Sequence, residues 1–512
     1  MVREYYEKIC AGEQVRTNLI ALRDSLKEER TRREFAYLLG GDFETLTELL
    51  KNDDPKVRKN AALILGKMES EDLLPILFDA YQSEETRFIR ADYLKAISGM
   101  DYRPLLGALK ERLDTLRNTE AGEQEQKHVS GEMRVLQDMI LKYQKTEPHT
   151  FTGRKTVSDM ILVTNRCQRE ATARQVRLGR AMRKGGSHRI VMLSGGLRLC
   201  GFCADDILSI RTWSELLYPV PVPALPADDP EEIGRLLAGD VLKKAEELHS
   251  GEAAFRFRIE LKGRVDQRKK GTLIRRIAQS LECQSNGRLV NSVTDYEMEI
   301  RLLERRDGTY FPVLKFFTIP DRRFSYRKEV VAASVNPVNA ALAAQLARPY
   351  LKEGAAVLDP FCGVGTMLIE RNYAVRAGNM YGVDLFGEAI EKAGVNTKMA
   401  GCSIYYINKD FFEFEHKYLF DEIFTDMPQV TAAKSSREIE LLYFEFFEKA
   451  RLMLKEDAVI ILYASEPQFV VSNVRRYSDL WIAEKFVFNE KTGTSLFVIQ
   501  RGEGAAQKKE AV

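Results

Sequence analysis

The ten residues Val357-Leu-Asp-Pro-Phe-Cys-Gly-Val-Gly-Thr366 read as a strand ending on a carboxylate, a tight turn and the first residue of a helix. Gly363 and Gly365 let the backbone turn sharply and come close to a ligand, and the helix that follows aims its free N–H groups at the same place. A third spaced glycine is absent, so this is not the dinucleotide fingerprint. Outward from it, from about 334 to 501, short apolar runs alternate with helical lengths. Tyr381-Gly-Val383, Ile404 to Ile407, Glu422 to Thr425 and Val459 to Tyr463 are strand candidates. Two more, Ile482 to Phe488 and Ser495 to Gln500, flank Lys491-Thr-Gly493 and predict an antiparallel hairpin. The pattern is that of a doubly wound sheet with a parallel core.

Further strand ends carry carboxylates. Asp384 closes Gly382-Val-Asp384, 21 residues past Gly363, where a wound sheet presents an acid to ribose hydroxyls. Asp410 ends Asn408-Lys-Asp410 and could reach an adenine amine. With Asp359, that is a constellation for S-adenosylmethionine. The plainer alternative is that each aspartate caps the helix after its strand.

Upstream, the first 150 residues read as helix after helix. Asp54 is placed to cap a helix with Pro55 at its first position, followed by an apolar stripe at Val57, Ala61, Ala62 and Leu65. A shift of 32 residues repeats the stripe at Ile89, Tyr93, Leu94 and Ile97 and matches Arg58 with Arg90. Helix pairs at this spacing resemble HEAT repeats stacked into a short solenoid, with an irregular bundle as the alternative. From about Lys155 the texture turns to mixed strand and helix. Met160-Ile-Leu-Val163 and Arg189-Ile-Val-Met-Leu193 are strand-length. The stretch from Tyr218 to Pro226 is a proline-dense connector. A helix (Pro230 to Leu248), an alternating strand (Phe255 to Lys262), a helix (Gly271 to Cys283) and two strands turned at Arg306-Asp-Gly308 complete a small α/β module.

With 512 residues, 45% hydrophobic and 30% charged, the chain has material for several cores, which excludes collagen, a largely disordered chain and a disulfide mini-protein. A net charge of +2 decides nothing about a polyanionic partner; only local clusters can. Seven scattered cysteines and a charged start without an apolar run predict no secretory signal and a reducing cytoplasm. The uncharged stretch from Val330 to Ala347 is broken by Ser334, Asn336, Pro337, Asn339 and Gln345, so no membrane span is expected. Residues 503–512 read as a polar, disordered tail.

Ala333-Ser-Val-Asn-Pro337, Ala340-Ala-Leu-Ala343 and Leu358-Asp-Pro-Phe-Cys-Gly-Val-Gly-Thr-Met-Leu-Ile-Glu370 resemble the class I methyltransferase domain of the THUMP-containing RNA methyltransferases. Ile210 to Pro219 resembles the segment before the THUMP domain of that family, and the strand–helix–strand–strand order from Phe255 to Phe317, with Tyr296-Glu-Met-Glu-Ile300, resembles that domain's end. The resemblance implies that Asn336, Asp359, Phe361, Gly363, Gly365, Thr366, Asp384 and Asp410 surround S-adenosylmethionine. It implies structured RNA, tRNA or rRNA, as substrate, with guanosine N2 the usual target. After the fourth strand that family carries Asp or Asn, Pro or Leu, Pro, then an aromatic. Here the motif reads Asp426-Met-Pro-Gln429, which implies Asp426 and Pro428 as the amine's acceptors and leaves Gln429 in place of the ring. A ring from elsewhere, a different substrate, or a binding scaffold that has lost catalysis are the readings left open.

RNA contact needs local positive charge. Arg174, Arg177, Arg180 and Arg183, with Lys184, fan over a helix. Arg256, Arg258, Lys262, Arg264, Arg268, Lys269 and Lys270 run along and past the alternating strand. Cys200 and Cys203 lack the further ligands of a zinc site and read as core cysteines, so no metal is expected. The expected organisation is therefore a HEAT-like solenoid (1–150), possible docking surface for a protein partner; a THUMP-like RNA-binding α/β module (155–325); and a doubly wound class I methyltransferase domain (326–502).

Overall fold

The structure is a computed structural model and describes residues 2–68, 70–117, 123–143, 148–181, 188–264, 267–332, 334–432 and 434–502. Arg183, Lys184 and the tail at 503–512 lie outside the described residues. The chain forms two compact units, Met1–Thr150 with Val220–Thr318, and Phe151–Pro219 with Ile319–Val512.

The first unit opens with helices whose buried stripes follow the repeat. Val57, Ala61, Ala62 and Leu65 are buried in helix Pro55–Gly66, and Ile89, Tyr93, Leu94 and Ile97 in helix Arg87–Ile97. Asp54 caps the former, accepting from the Lys56 N–H at 2.8 Å. The matched arginines serve the same purpose one repeat apart. Arg58 pairs with buried Glu84 through Nε at 2.8 Å and Nη2 at 2.7 Å. Arg90 faces buried Glu132 at 3.3 Å, which also accepts from Tyr81 and Arg112. A buried charge persists only when paired and hydrogen-bonded, so these pairs fix how successive helices stack.

In the same unit Phe255–Lys262 lies between Met298–Glu304 and Leu289–Asn291, parallel to both, and Tyr310–Phe316 runs antiparallel to Met298–Glu304. The helices Pro230–Leu248 and Gln267–Gln284 belong to this module. The short strand Leu289–Asn291 was not expected. Two basic residues differ from expectation. Arg256 is buried, facing Asp295 at 3.2 Å and Glu297 at 3.7 Å. Arg258 donates to Glu299 at 2.6 Å and lies 4.2 Å over the Tyr296 ring. Carboxylates on the neighbouring strand and just before it draw both guanidinium groups onto the sheet, so neither is free for phosphate.

The second unit contains four antiparallel-paired strands in the order Arg189–Leu193, Gly196–Phe202, Ser158–Thr164, Trp213–Pro219. Gly196–Phe202 and Trp213–Pro219 were not expected, the one broken by glycines and the other running into the proline connector. Cys203 is buried, its thiol donating to Asp206 at 3.3 Å.

The rest of this unit is the sheet foretold by the glycine turn. Its strands are β1 (Ala356–Asp359), β2 (Asn379–Asp384), β3 (Tyr405–Asn408), β4 (Phe420–Asp426), β5 (Leu454–Ala464), β6 (Leu480–Val487) and β7 (Ser495–Arg501). Helix α1 (Pro337–Ala347) precedes β1, and α2 (Thr366–Ala374), α3 (Gly387–Ala400), α4 (Ser436–Met453) and α5 (Pro467–Arg476) lie between successive strands. The order is β3-β2-β1-β4-β5-β7-β6; β1 to β5 pair in parallel and β7 runs antiparallel to both neighbours. The order reverses between β1 and β4, which places the crevice at the carboxyl ends of β1, β2 and β4. One face packs Leu358, Ile423, Ile460 and Leu462 against α4; the other packs Val357, Phe424 and Ile461 against α1 and α2. Arg211 fastens the upstream strands to α2. It donates to Glu370 at 2.6 and 2.8 Å and lies 4.6 Å over Tyr373 and 4.7 Å over Phe324. Among the described residues no helix is long and apolar enough to cross a membrane.

Candidate functional site

The turn after β1 is held from several sides. The Cys362 N–H donates to the Val383 carbonyl at 3.0 Å, and the Gly365 N–H to that of Cys362 at 2.8 Å. The Gly363 N–H donates to Asp384 Oδ2 at 2.8 Å, and the other oxygen of Asp384 accepts from Phe386 N–H at 2.9 Å. Asp384 therefore ties the end of β2 to the glycine turn. Gly365 has φ 80°, and a Cβ there would stand 2.1 Å from the hydroxyl of Tyr406. Tyr406 is held beneath the turn by a 2.8 Å hydrogen bond with Thr397. Gly365→Ala is expected to push Tyr406 away, open the turn and weaken S-adenosylhomocysteine binding at least about tenfold. Calorimetric titration checks it; wild-type affinity would show that the turn does not depend on this close approach.

Asp359, at the end of β1, is fully buried. It accepts from the Thr425 hydroxyl at 2.6 Å and the Phe361 N–H at 3.2 Å through Oδ1, while Oδ2 has no partner among the described residues. Burial, with Asp426 and Asp384 adding negative charge, pushes its carboxyl up to about 8. Thr366 Oγ1, at the start of α2, is also buried without a partner. A cradle with a buried carboxyl oxygen and a buried hydroxyl left unpaired fits a polar ligand, and a positively charged one would favour the ionised form of Asp359.

Asp426 ends β4, next to Tyr463 of β5 in the ladder. Burial pushes its carboxyl up to about 7. Pro428 is half-buried and Gln429 exposed. The expected residues divide accordingly. Asp359, Phe361, Gly363, Gly365, Thr366 and Asp384 come together at the β1 and β2 ends, with Asp426 and Pro428 at the end of β4. The Phe361 ring packs 5.8 Å from Phe411 and 6.1 Å from Phe446, so it braces the turn from within the core. Asp410 follows β3 and accepts from Phe412 N–H at 2.9 Å, the capping role. Asn336 is exposed and caps α1 through Val338 N–H at 2.9 Å.

Other residues here escaped the sequence. Leu385 and Phe386, 61% and 65% exposed, follow Asp384 and offer apolar surface at the crevice. Asn396 is fully buried, donating to the carbonyls of Val364 and Glu329 and accepting from the N–H groups of Lys328 and Glu329. It joins the turn to the segment before α1. Leu385 and Phe386 carried a readable signal, two large apolar residues straight after a strand-end acid; Asn396 carried none.

Of the basic positions, Arg174 and Arg177 are exposed on helix Arg169–Ala181, Arg177 paired with Glu170. The Arg180 side chain is not among those described. Lys262, Arg264 and Lys269 are exposed and Lys270 half-buried; Lys262 pairs with Glu260.

Residues 326–492 match the family described as the RMKL-like methyltransferase domain, and residues 18–115 match HEAT repeats. TrmN from Thermus thermophilus superposes with a TM-score of 0.50 at 19% identity, over 67% of this chain and 99% of that one. SMU.472, solved in complex with SAH, gives 0.50 at 14% identity over 68% and 98%. The C-terminal sheet has the methyltransferase fold. A stretch of 116 residues is 30% identical to a tRNA (guanine(10)-N2)-dimethyltransferase of Methanothermobacter thermautotrophicus, covering 22% of this chain and 34% of that protein. The chain thus matches about a third of that relative's length.

Proposed function

We propose that this chain is an S-adenosylmethionine-dependent RNA methyltransferase acting on a base exocyclic amine, guanosine N2 by preference, in tRNA or rRNA. The observation that carries the reading is the joining of an intact glycine turn to Asp359, Asp384 and Asp426 at adjoining strand ends. The likeness of part of the chain to a tRNA guanine-N2 enzyme supports the substrate class. Residues 1–150 serve as a HEAT-like domain open to a protein partner, 155–325 as a THUMP-like RNA-holding module and 326–502 as the catalytic domain, in the cytoplasm and off the membrane. Arg174, Arg177, Arg180, Arg183, Lys262, Arg264, Lys269 and Lys270 meet phosphate.

S-adenosylmethionine, when bound, supplies an electrophilic methyl group on a sulfonium. Gly363, Gly365, Thr366 and Asp359 cradle its amino-acid end, Asp384 its ribose, Asp410 and the Leu385–Phe386 pair its adenine, with Phe361 bracing the turn and Asn336 nearby. Asp426 and the Pro428 carbonyl accept hydrogen bonds from the base amine, which turns its lone pair toward the methyl group. Transfer is direct, with no covalent enzyme intermediate, and the amine's proton leaves through Asp426.

The test is incubation with S-adenosylmethionine carrying a labelled methyl group and unmodified tRNA and rRNA transcripts, followed by nucleoside analysis. Label in N2-methylguanosine is the expected outcome. No label in any RNA, from protein that binds S-adenosylhomocysteine, would favour the second reading, to which the exposed Gln429 points: a scaffold that keeps the fold without the chemistry.

A further inference from the structure

Resting on that reading, we propose that Tyr463 of β5 replaces the ring missing at Gln429, its face forming the wall on which the acceptor base stacks beside Asp426. Asp426 and Tyr463 are register partners on neighbouring parallel strands. Such partners stand about 4.8 Å apart and project to the same side of the sheet. That side is the one on which Phe424 and Ile461 pack beneath α1. Tyr463 is half-buried and so not sealed in the core, whereas Gln429 is exposed and has no ring to offer.

The ring is also held still. Phe488 meets it edge-on at 5.0 Å between centroids, and its hydroxyl accepts from Asn339 Nδ2 of α1 at 3.3 Å. Asp426 is one of the groups that push the Tyr463 hydroxyl up, after burial, so acid and ring share one environment. A preorganised aromatic face next to the amine's acceptor is what a base extruded from its helix requires. The ligand this wall takes is a single flipped base, held by stacking.

The probe is a single-stranded RNA containing one 2-aminopurine, whose amine occupies the ring position of guanosine N2 and whose fluorescence falls on stacking. It is titrated into the full chain saturated with S-adenosylhomocysteine. Wild type and Tyr463→Phe are expected to quench it, whereas Tyr463→Leu, which keeps apolar bulk, is expected to bind the base roughly 5- to 100-fold more weakly. Gln429→Tyr in the Tyr463→Leu background is expected to restore part of the quenching. Wild-type quenching by Tyr463→Leu, or loss in Tyr463→Phe equal to that in Tyr463→Leu, would overturn the proposal. So would an absence of quenching by the wild type. Quenching with no methyl transfer to any RNA would instead sink the methyltransferase reading and leave the stacking wall standing.

Discussion

Alanine in place of Asp426 is expected to cut methyl transfer to RNA by about 10²–10⁴-fold while leaving S-adenosylhomocysteine binding in place. In the proposed mechanism its carboxylate orients the amine and takes its proton, so its loss falls on the chemical step and not on the cofactor. The pH dependence gives a second signature. Burial pushes Asp426 up to about 7, and only the ionised form can take the amine's proton. Transfer should rise with pH through about 7, close to tenfold per unit below it, and level off above. Stability should run the opposite way. The folded state keeps this proton up to about 7 while the unfolded chain sheds it near 3.9, so stability falls as pH rises between those values. Asp426→Asn should therefore melt higher than wild type at pH 8 and about level with it at pH 4. A flat pH–rate profile, or an Asp426→Ala variant with full activity, would remove Asp426 from the chemistry.

Removing Glu422 is expected to destabilise the second unit by about 3–5 kcal/mol. Its carboxylate and the Arg371 guanidinium are fully buried, joined by bonds of 2.6 to 2.8 Å. Arg371 also donates to the carbonyls of Val375 and Lys352, and Glu422 accepts from Lys352 N–H. Burial pushes the Glu422 carboxyl up even with Arg371 against it. The pair therefore holds α2 to β4 without gaining much from its charge. Glu422→Ala strands a cation in the core, whereas Arg371→Met with Glu422→Leu should unfold near the wild-type midpoint in urea. Equal losses in the single and double variants would show that the ion pair itself is strongly stabilising.

The glycine turn, Asp384 and the repeat stripes were legible because each depends on local chemistry, a left-handed turn, a strand end or a helical period. The basic strand was legible only in part. Alternation placed Phe255, Phe257 and Ile259 inward and the arginines outward. It could not show that Glu297 and Glu299, just before and within a strand some forty residues later, would engage Arg256 and Arg258. Asn396 and Tyr463 were invisible for the same reason. One acts through a turn some thirty residues before it, the other through its register with β4. Position, not residue type, gives them their place at the site.

Calorimetric titration with S-adenosylhomocysteine, of the wild type and of Asp384→Ala, tests the central claim most directly. Asp384 holds the turn through Gly363 and closes the strand proposed to face the ribose. Binding with a Kd of order micromolar by the wild type, lost in a variant with the same circular dichroism, is the predicted result. A folded wild-type protein that takes up no S-adenosylhomocysteine would contradict the account.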